Sequence, residues 1–367
     1  MPRSKTRARR RPRVVRGTKS VELDREEFRK RFFARWYDPA FEPLTGELER
    51  ALDIAWEAYR ESRKSPRTRR AGGGFAEPSF ELPIEWLETR RAIQRAARKQ
   101  RSRRSRSRIL VVNGSARSDQ TCPGEMSKSY RLCELAIRAI ERERAFETDF
   151  LDLSRLASER DLKIHPCKAC VSTAMPLCHW PCSCYPNHGL GQVNDWMNDL
   201  YPRWVAAHGV LIVTPVNWYQ APSVLKLMID RLVCADGGNP DPTTTHGKDP
   251  ERAKVLELAG WDYPKHLAGR AFGLVVHGDA AGVDTLCTSL HSWLTDMELI
   301  PAGPSAALGR YLGYFEPYAT SHDALDRDRD LQVEVRNVAA SLVETVRQIR
   351  SGRYRRPDED LEDPRPK

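Results

Sequence analysis

The 367-residue chain reads as an α/β protein in which a doubly wound, parallel five-stranded sheet follows a helical N-terminal extension. Three observations predict this. From Ile109 onward, short β-branched apolar runs alternate with stretches of helical period, the order that builds a parallel sheet covered on both faces. Three of those runs, "ILVVNGSAR", "GVLIVTPV" and "AFGLVVHGD", are apolar almost to their ends and then meet Gly, Pro or Ser, as buried parallel strands do where they pass into loops. Charge divides at the same place: thirty-one Lys and Arg against fifteen Asp and Glu give residues 1–108 a net +16, whereas residues 109–367 carry −6.

Taken in order, "MPRSKTRARRRPRVVRGTKS" is cationic and nearly free of apolar side chains, so residues 1–19 are expected to be a disordered tail. Residues 20–108 are expected to form the helical extension. Leu48, Leu52, Ala55, Trp56 and Tyr59 recur at spacings of three and four, with Thr45 placed as an N-cap. After the breaker "RTRRAGGGFAEPSF", a further helix carries Trp86, Ile93 and Ala97 and ends in a basic linker, "RKQRSRRSRSR". The α/β body is expected over 109–352. Its elements are a strand from Ile109, a helix over 127–144, the strand "FETDFLDL", a cysteine-rich loop, a helix over 193–206, the strand "GVLIVTPV" and the helix "SVLKLMIDRL". A long polar insertion, the strand "RAFGLVVHGD", the helix "TLCTSLHSWLTDME", a short strand near Leu299 and a last helix over 331–349 complete it. Residues 353–367 are expected to trail as a second disordered tail. No apolar run reaches the eighteen or more residues that span a bilayer, and no hydrophobic stretch follows the arginine-rich start, so a cytoplasmic protein without membrane contact is expected.

In an open parallel sheet, ligands sit beyond the carboxyl ends of the strands, where the strand order reverses. The loop "NGSARSDQTCPGEMSKS" offers Ser115, Arg117, Ser127 and Ser129 just before and at the start of a helix, and hydroxyls, a guanidinium and helix N–H groups suit a phosphate monoester. It lacks the Lys-Ser/Thr pair of a P-loop and the Gly-x-Gly-x-x-Gly of a dinucleotide site. A second loop places Pro215, Val216, Asn217, Trp218 and Tyr219 where rings and amides can flank a flat heteroaromatic group. A third supplies His277 and Gly278, the histidine serving as either a structural hydrogen-bonder or a functional group.

Five of the nine cysteines fall within "HPCKACVSTAMPLCHWPCSCYPN". In a reducing compartment such clustering points to metal ligands or redox groups before disulfides. The pattern Cys-x₂-Cys-x₇-Cys-x₃-Cys-x-Cys nominates Cys167, Cys170, Cys178 and Cys182 as ligands of an iron–sulfur cluster or zinc, with non-ligand loop thiols as the alternative.

The three loops "GSARSDQTCPGEMSKS", "PVNWYQAPSVLKLMIDR" and "VVHGDAAG", in this order, resemble those of the NADPH-dependent FMN reductase and multimeric flavodoxin families of the flavodoxin-like fold, over about residues 108–350. "HPCKAC" with Cys178 is similar to the start of the cysteine motif of iron–sulfur flavoproteins, although residues 171–173 hold no third close-spaced cysteine. The resemblance implies bound FMN, with Ser115, Arg117 and Ser127 on its phosphate, residues 215–218 on the ring and ribityl chain, and His277 and Gly278 at the far edge of the ring. It also implies NADPH or NADH as electron donor, a small acceptor such as a quinone or free flavin, and a homo-oligomer. A non-enzymatic electron carrier of flavodoxin or iron–sulfur flavoprotein type is the alternative. The polar insertion is long enough to cover a substrate site. The basic runs lack interleaved aromatics, so nucleic acid is not expected as a partner.

Overall fold

The computed structural model describes residues 22–118, 127–317, 320–356 and 359–361. The expected tail over 1–19 and the end of the second tail, 362–367, lie outside the described residues.

The extension consists of α1 (Arg25–Phe33), α2 (Thr45–Arg60), a small antiparallel hairpin of β1 (Thr68–Arg70) and β2 (Glu81–Pro83), and α3 (Ile84–Arg101). Thr45 opens α2 but does not cap it. A 3-10 turn over Pro39–Leu44 feeds directly into the helix, and the Thr45 hydroxyl donates back to the Glu42 carbonyl at 2.6 Å. The basic "linker" also begins as helix, because the Ile93 and Ala96 stripe keeps α3 docked until Arg101. Trp86 anchors the start of α3 through its indole N–H, which donates to the Pro181 carbonyl at 2.7 Å.

The body runs β3 (Ser107–Asn113), α4 (Lys128–Glu141), β4 (Phe146–Asp152), α5 (Arg155–Ser158), α6 (Met197–Ala206), β5 (Gly209–Pro215), α7 (Ser223–Arg231) and α8 (Pro250–Leu258). It continues through β6 (Ala271–Gly278), α9 (Val283–Asp296), β7 (Ile300–Pro301), β8 (Ala307–Tyr311), α10 (Ser321–Arg327) and α11 (Arg329–Arg350). All pairs in the main sheet are parallel, in the order β4-β3-β5-β6, with β7 and β8 both on the free side of β6. Five strand positions were expected, and the fifth is shared by these two short pieces. Pro301 and Pro304 bracket the break, where a missing N–H interrupts a ladder.

Strand residues alternate between two cores. Leu110, Val112, Ile212 and Leu274 face a layer built by α6, α7, α9 and, from the extension, Ile93 and Ala96. Ile109, Val111, Leu211 and Val275 face α4 and α11. Both faces are covered, which is why these strands are apolar without alternation. Among the described residues no helix is long and apolar enough to cross a membrane.

The insertion after α7 carries the unforeseen helix α8 and covers the cysteine segment. The Asn239 N–H donates to the Cys178 carbonyl at 2.6 Å, the Met175 N–H to Glu257 at 3.0 Å, and His179 Nε2 lies 2.9 Å from the Thr245 hydroxyl. No residue of the insertion lines the cleft described next.

Candidate functional site

The connections from β3 and β5 leave the sheet on opposite sides, and the crevice between them opens at the carboxyl ends of the strands. Nine of the ten residues singled out for cofactor contact line one cleft there: Ser115, Arg117, Ser127 and Ser129 on one side; Pro215, Val216 and Asn217 on another; His277 and Gly278 between them. Trp218 is the exception and is 93% exposed.

The first wall is fixed by a buried polar relay. The Asn113 amide donates to Asp152 at 2.8 Å, its oxygen accepts from the Ser115 N–H at 3.2 Å, and the Ser115 hydroxyl accepts from the Arg117 N–H at 3.1 Å. Gly114 is required at this bend, because a Cβ would stand 2.8 Å from the Thr214 side chain. Residues 119–126 of the loop lie outside the described residues. Ser127 then caps α4, its hydroxyl accepting from the Tyr130 N–H at 3.4 Å, so the positive end of that helix faces the cleft.

His277 is buried, with Nε2 2.7 Å from the Ser129 hydroxyl. Burial, reinforced by the nearby Lys128 ammonium, lowers its pKa to about 4, so the ring is neutral at pH 7. Lys128 is a lining residue that sequence reasoning missed, since its only signal is its place directly after a helix cap. Its ammonium donates to Asp279 at 2.9 Å and to the Leu312 carbonyl at 3.2 Å.

The second wall extends the sheet by one bond, from the Val216 N–H to the His277 carbonyl at 2.8 Å, and then reverses. Asn217 and Gln220 exchange both backbone bonds at 3.0 Å, forcing Trp218 (φ 50°) and Tyr219 (φ 67°) into left-handed conformations. The turn packs against Gly282, also left-handed at φ 87°, where a Cβ would come within 2.9 Å of the Tyr219 backbone.

The cysteines form a separate cluster, and none of those in the segment lines the cleft. The Cys170 thiol touches those of Cys178 and Cys184, Cys182 touches Cys184, and Cys167 and Cys234 lie within electrostatic reach of Cys182. Lys248 brings its ammonium to 3.4 Å from the Cys170 sulfur. Contact with Cys184, then burial, pushes the Cys182 thiol well up, so it is protonated at pH 7. Among the described residues no three His, Cys, Asp or Glu side chains converge as ligands of one metal ion. The expected four-ligand set is therefore not formed as drawn: the donors are soft sulfurs, suited in kind to zinc or iron, but they are closed upon one another.

At the carboxyl edge of the parallel sheet the start of α4 thus stands beside a loop-walled slot. The chain belongs to the NADPH-dependent FMN reductase family, whose profile matches residues 107–312, more than half of its length. It is 28% identical over 126 residues to an iron–sulfur flavoprotein of Methanosarcina thermophila, a match covering 34% of this chain and 52% of that protein. The chain thus spans about half the length of that curated relative. Among solved structures it is similar to RosB with its bound intermediate 8-demethyl-8-formylriboflavin-5'-phosphate (TM-score 0.48, 16% identity, 68% of this chain and 82% of that one). It is also similar to a flavone reductase (TM-score 0.40, 13% identity, 68% and 66%).

Proposed function

We propose that this protein is an FMN-dependent oxidoreductase that takes reducing equivalents from NADPH or NADH and passes them to a small acceptor such as a quinone or free flavin. One observation carries the reading: Ser115, Arg117, Ser127 and Ser129 meet at the start of α4 in the same cleft as Pro215, Val216, Asn217, His277 and Gly278. Hydroxyls, a guanidinium and helix N–H groups fit a phosphate monoester, so these residues would hold the FMN phosphate while the 215–217 and 277–278 backbone walls the ring. When bound, FMN supplies the redox chemistry. The chain binds, orients and excludes water. Neutral His277 fixes Ser129 and lends its carbonyl to the second wall, and Lys128 ties the first wall to Asp279.

The reading includes a homo-oligomer. What supports it is the exposed rings of Trp218, Tyr314 and Phe315, the last two on the loop that reaches Lys128 through Leu312 and Gly313. Direct oxidation of NADPH by the purified flavin-loaded protein separates an enzyme from an electron carrier. For the site itself, Arg117→Ala should weaken FMN about ten- to a hundredfold, the worth of one charge-assisted phosphate contact, and leave riboflavin binding nearly unchanged. Equal losses for both ligands would place the phosphate elsewhere.

A thiolate-bound zinc or iron–sulfur cluster is the second component of the proposal. It is supported by the kind of donor gathered there, with Cys167, Cys170, Cys178 and Cys182 as the candidates and Cys184 in contact with two of them, and it requires these thiols, closed upon one another here, to part around the ion. Metal analysis of anaerobically purified protein tests it. About one zinc or one cluster per chain is expected, and substoichiometric metal would leave ordinary packed thiols and an unaffected flavin reading.

A further inference from the structure

From Thr89 to Arg108 the chain contains no Asp or Glu and ten Lys or Arg. The structure sorts these cations. Arg90 turns inward over the Phe75 ring at 4.7 Å, and Arg108 pairs with Glu147 at 2.7 Å. Arg91, Arg95 and Arg98 are exposed on the solvent side of α3, at helical positions i, i+4 and i+7. Arg101, Arg103, Arg104 and Arg106 continue the line, exposed, through the turn into β3. Among the described residues none of these seven has an ion-pair partner, and Lys99 beside them reaches Glu147 only at 3.9 Å. Elsewhere on the surface Arg25, Arg29, Arg131, Arg310 and Arg347 each rest on a carboxylate. Like charges one helical turn apart repel. Glu147, which Lys99 reaches at 3.9 Å and whose charge also acts on Arg106, offsets only part of that repulsion, at one end of the ridge.

We propose that this arginine ridge docks the phosphate backbone of a nucleic acid. Charge complementarity commits the occupant. The array is continuous along the sequence, it is almost wholly arginine, and guanidinium forks match phosphate oxygens in pairs. A nucleic acid presents its charges in a line, whereas an amphipathic membrane-binding helix must also offer an apolar face. In α3 that face, with Trp86, Leu87, Ile93 and Ala96, is buried in the fold. Backbone binding needs no interleaved aromatics, so their lack in the sequence does not count against it. The ridge ends where β3 begins, at the amino edge of the sheet, and the cleft lies at the carboxyl edge. Seven strand residues, about 23 Å, separate them, so a bound polyanion leaves the cleft open.

The test uses the full-length, flavin-loaded protein and a fluorescent mixed-sequence duplex of about 20 base pairs, followed by anisotropy between about 50 and 200 mM salt. Binding should weaken linearly in log–log form. Replacing Arg95, Arg98, Arg103 and Arg104 together by Ala should weaken it at least about tenfold and flatten the salt slope by about 3 to 4, close to one per lost phosphate contact. Lys at the same four positions should restore most of both. Residues 1–19 are present in every protein compared, so any contribution they make cancels. Flavin absorbance and melting temperature should match throughout, because the four side chains are exposed and remote from the cleft. Absence of duplex binding, or equal binding by the Ala variant, overturns the proposal. So does a loss confined to anionic phospholipid vesicles or to self-association, with duplex binding intact.

Discussion

Trp218 and Tyr219 sit side by side in a backbone region that L-residues disfavour, at about 1–2 kcal/mol each. The reciprocal Asn217–Gln220 bonds hold them there, and little else does so at Trp218, whose ring is 93% exposed. That exposure leaves Trp218 outside the set of residues that line the cleft. It leaves a ring presented to whatever approaches the cleft mouth, a position suited to stacking on an aromatic acceptor. Glycine at this position relieves the strain but gives back part of the gain as chain entropy, about 0.5–1 kcal/mol. Trp218→Gly should therefore be as stable as the parent or up to about 1 kcal/mol more stable in urea unfolding. FMN affinity should be unchanged, and KM for an aromatic quinone should rise. A loss of more than about 1 kcal/mol would show that the ring carries packing, since losses of that size come from a short list of mechanisms such as lost core contacts.

At the scale of elements, β3, β5 and β6 were legible because a strand covered on both faces must be apolar along its length, and the Gly, Pro or Ser that ends each run marks the cleft edge. The three loops followed from that edge rule, and with them nine of the cleft's thirteen lining residues. Three features escaped, each because its cause is tertiary. The fifth strand position is divided between β7 and β8, and no local pattern says that two fragments will share one neighbour. Lys128 reads as a surface lysine until Asp279 and the Leu312 carbonyl arrive from strands far along the chain. The insertion reads as a lid by length and polarity, but its Asn239, Thr245 and Lys248 satisfy polar groups of the cysteine segment, which settles where it lies. Gly282 shows the same limit: "DAAGVD" looks like any helix start, and only the packed Tyr219 backbone shows why a side chain is excluded there.

Across the whole molecule, separate segments are joined by buried or half-buried histidines that must stay neutral. His208 accepts the Arg108 N–H on Nδ1 at 2.9 Å and meets the Gln100 carbonyl through Nε2 at 2.8 Å, tying the end of α3 to the first strand of the body. His266 meets the Tyr201 hydroxyl at 2.8 Å, and His277 meets Ser129 across the cleft at 2.7 Å. Burial is the largest cause in all three of a pKa lowered from 6.5 to about 4, and burial likewise lowers that of His179, between Ser183 and Thr245. The sign follows from proton counting: below pH 6.5 the unfolded chain binds protons that the folded one refuses until about pH 4. This contribution to stability is complete above the unfolded value, falls as the pH drops through it, and is exhausted once the folded rings also charge. Each ring contributes at most about 1.4 kcal/mol per pH unit, on the order of 2–3 kcal/mol over the window. Protonating His208 also removes the acceptor that Arg108 uses, so the start of β3 should loosen from His208, while the Gln100 carbonyl keeps its Nε2–H donor. Urea unfolding at pH 7.5, 6.5, 5.5 and 4.5 should show stability steady across the first pair and dropping by several kcal/mol across the rest, in a range above most carboxylate titration. His277→Gln, which keeps a hydrogen-bonding group but cannot charge, should remove about a quarter of that slope if the four rings act independently. A profile flat from pH 7.5 to 5 would show that these histidines are protonated within the fold and that the links they make survive the charge.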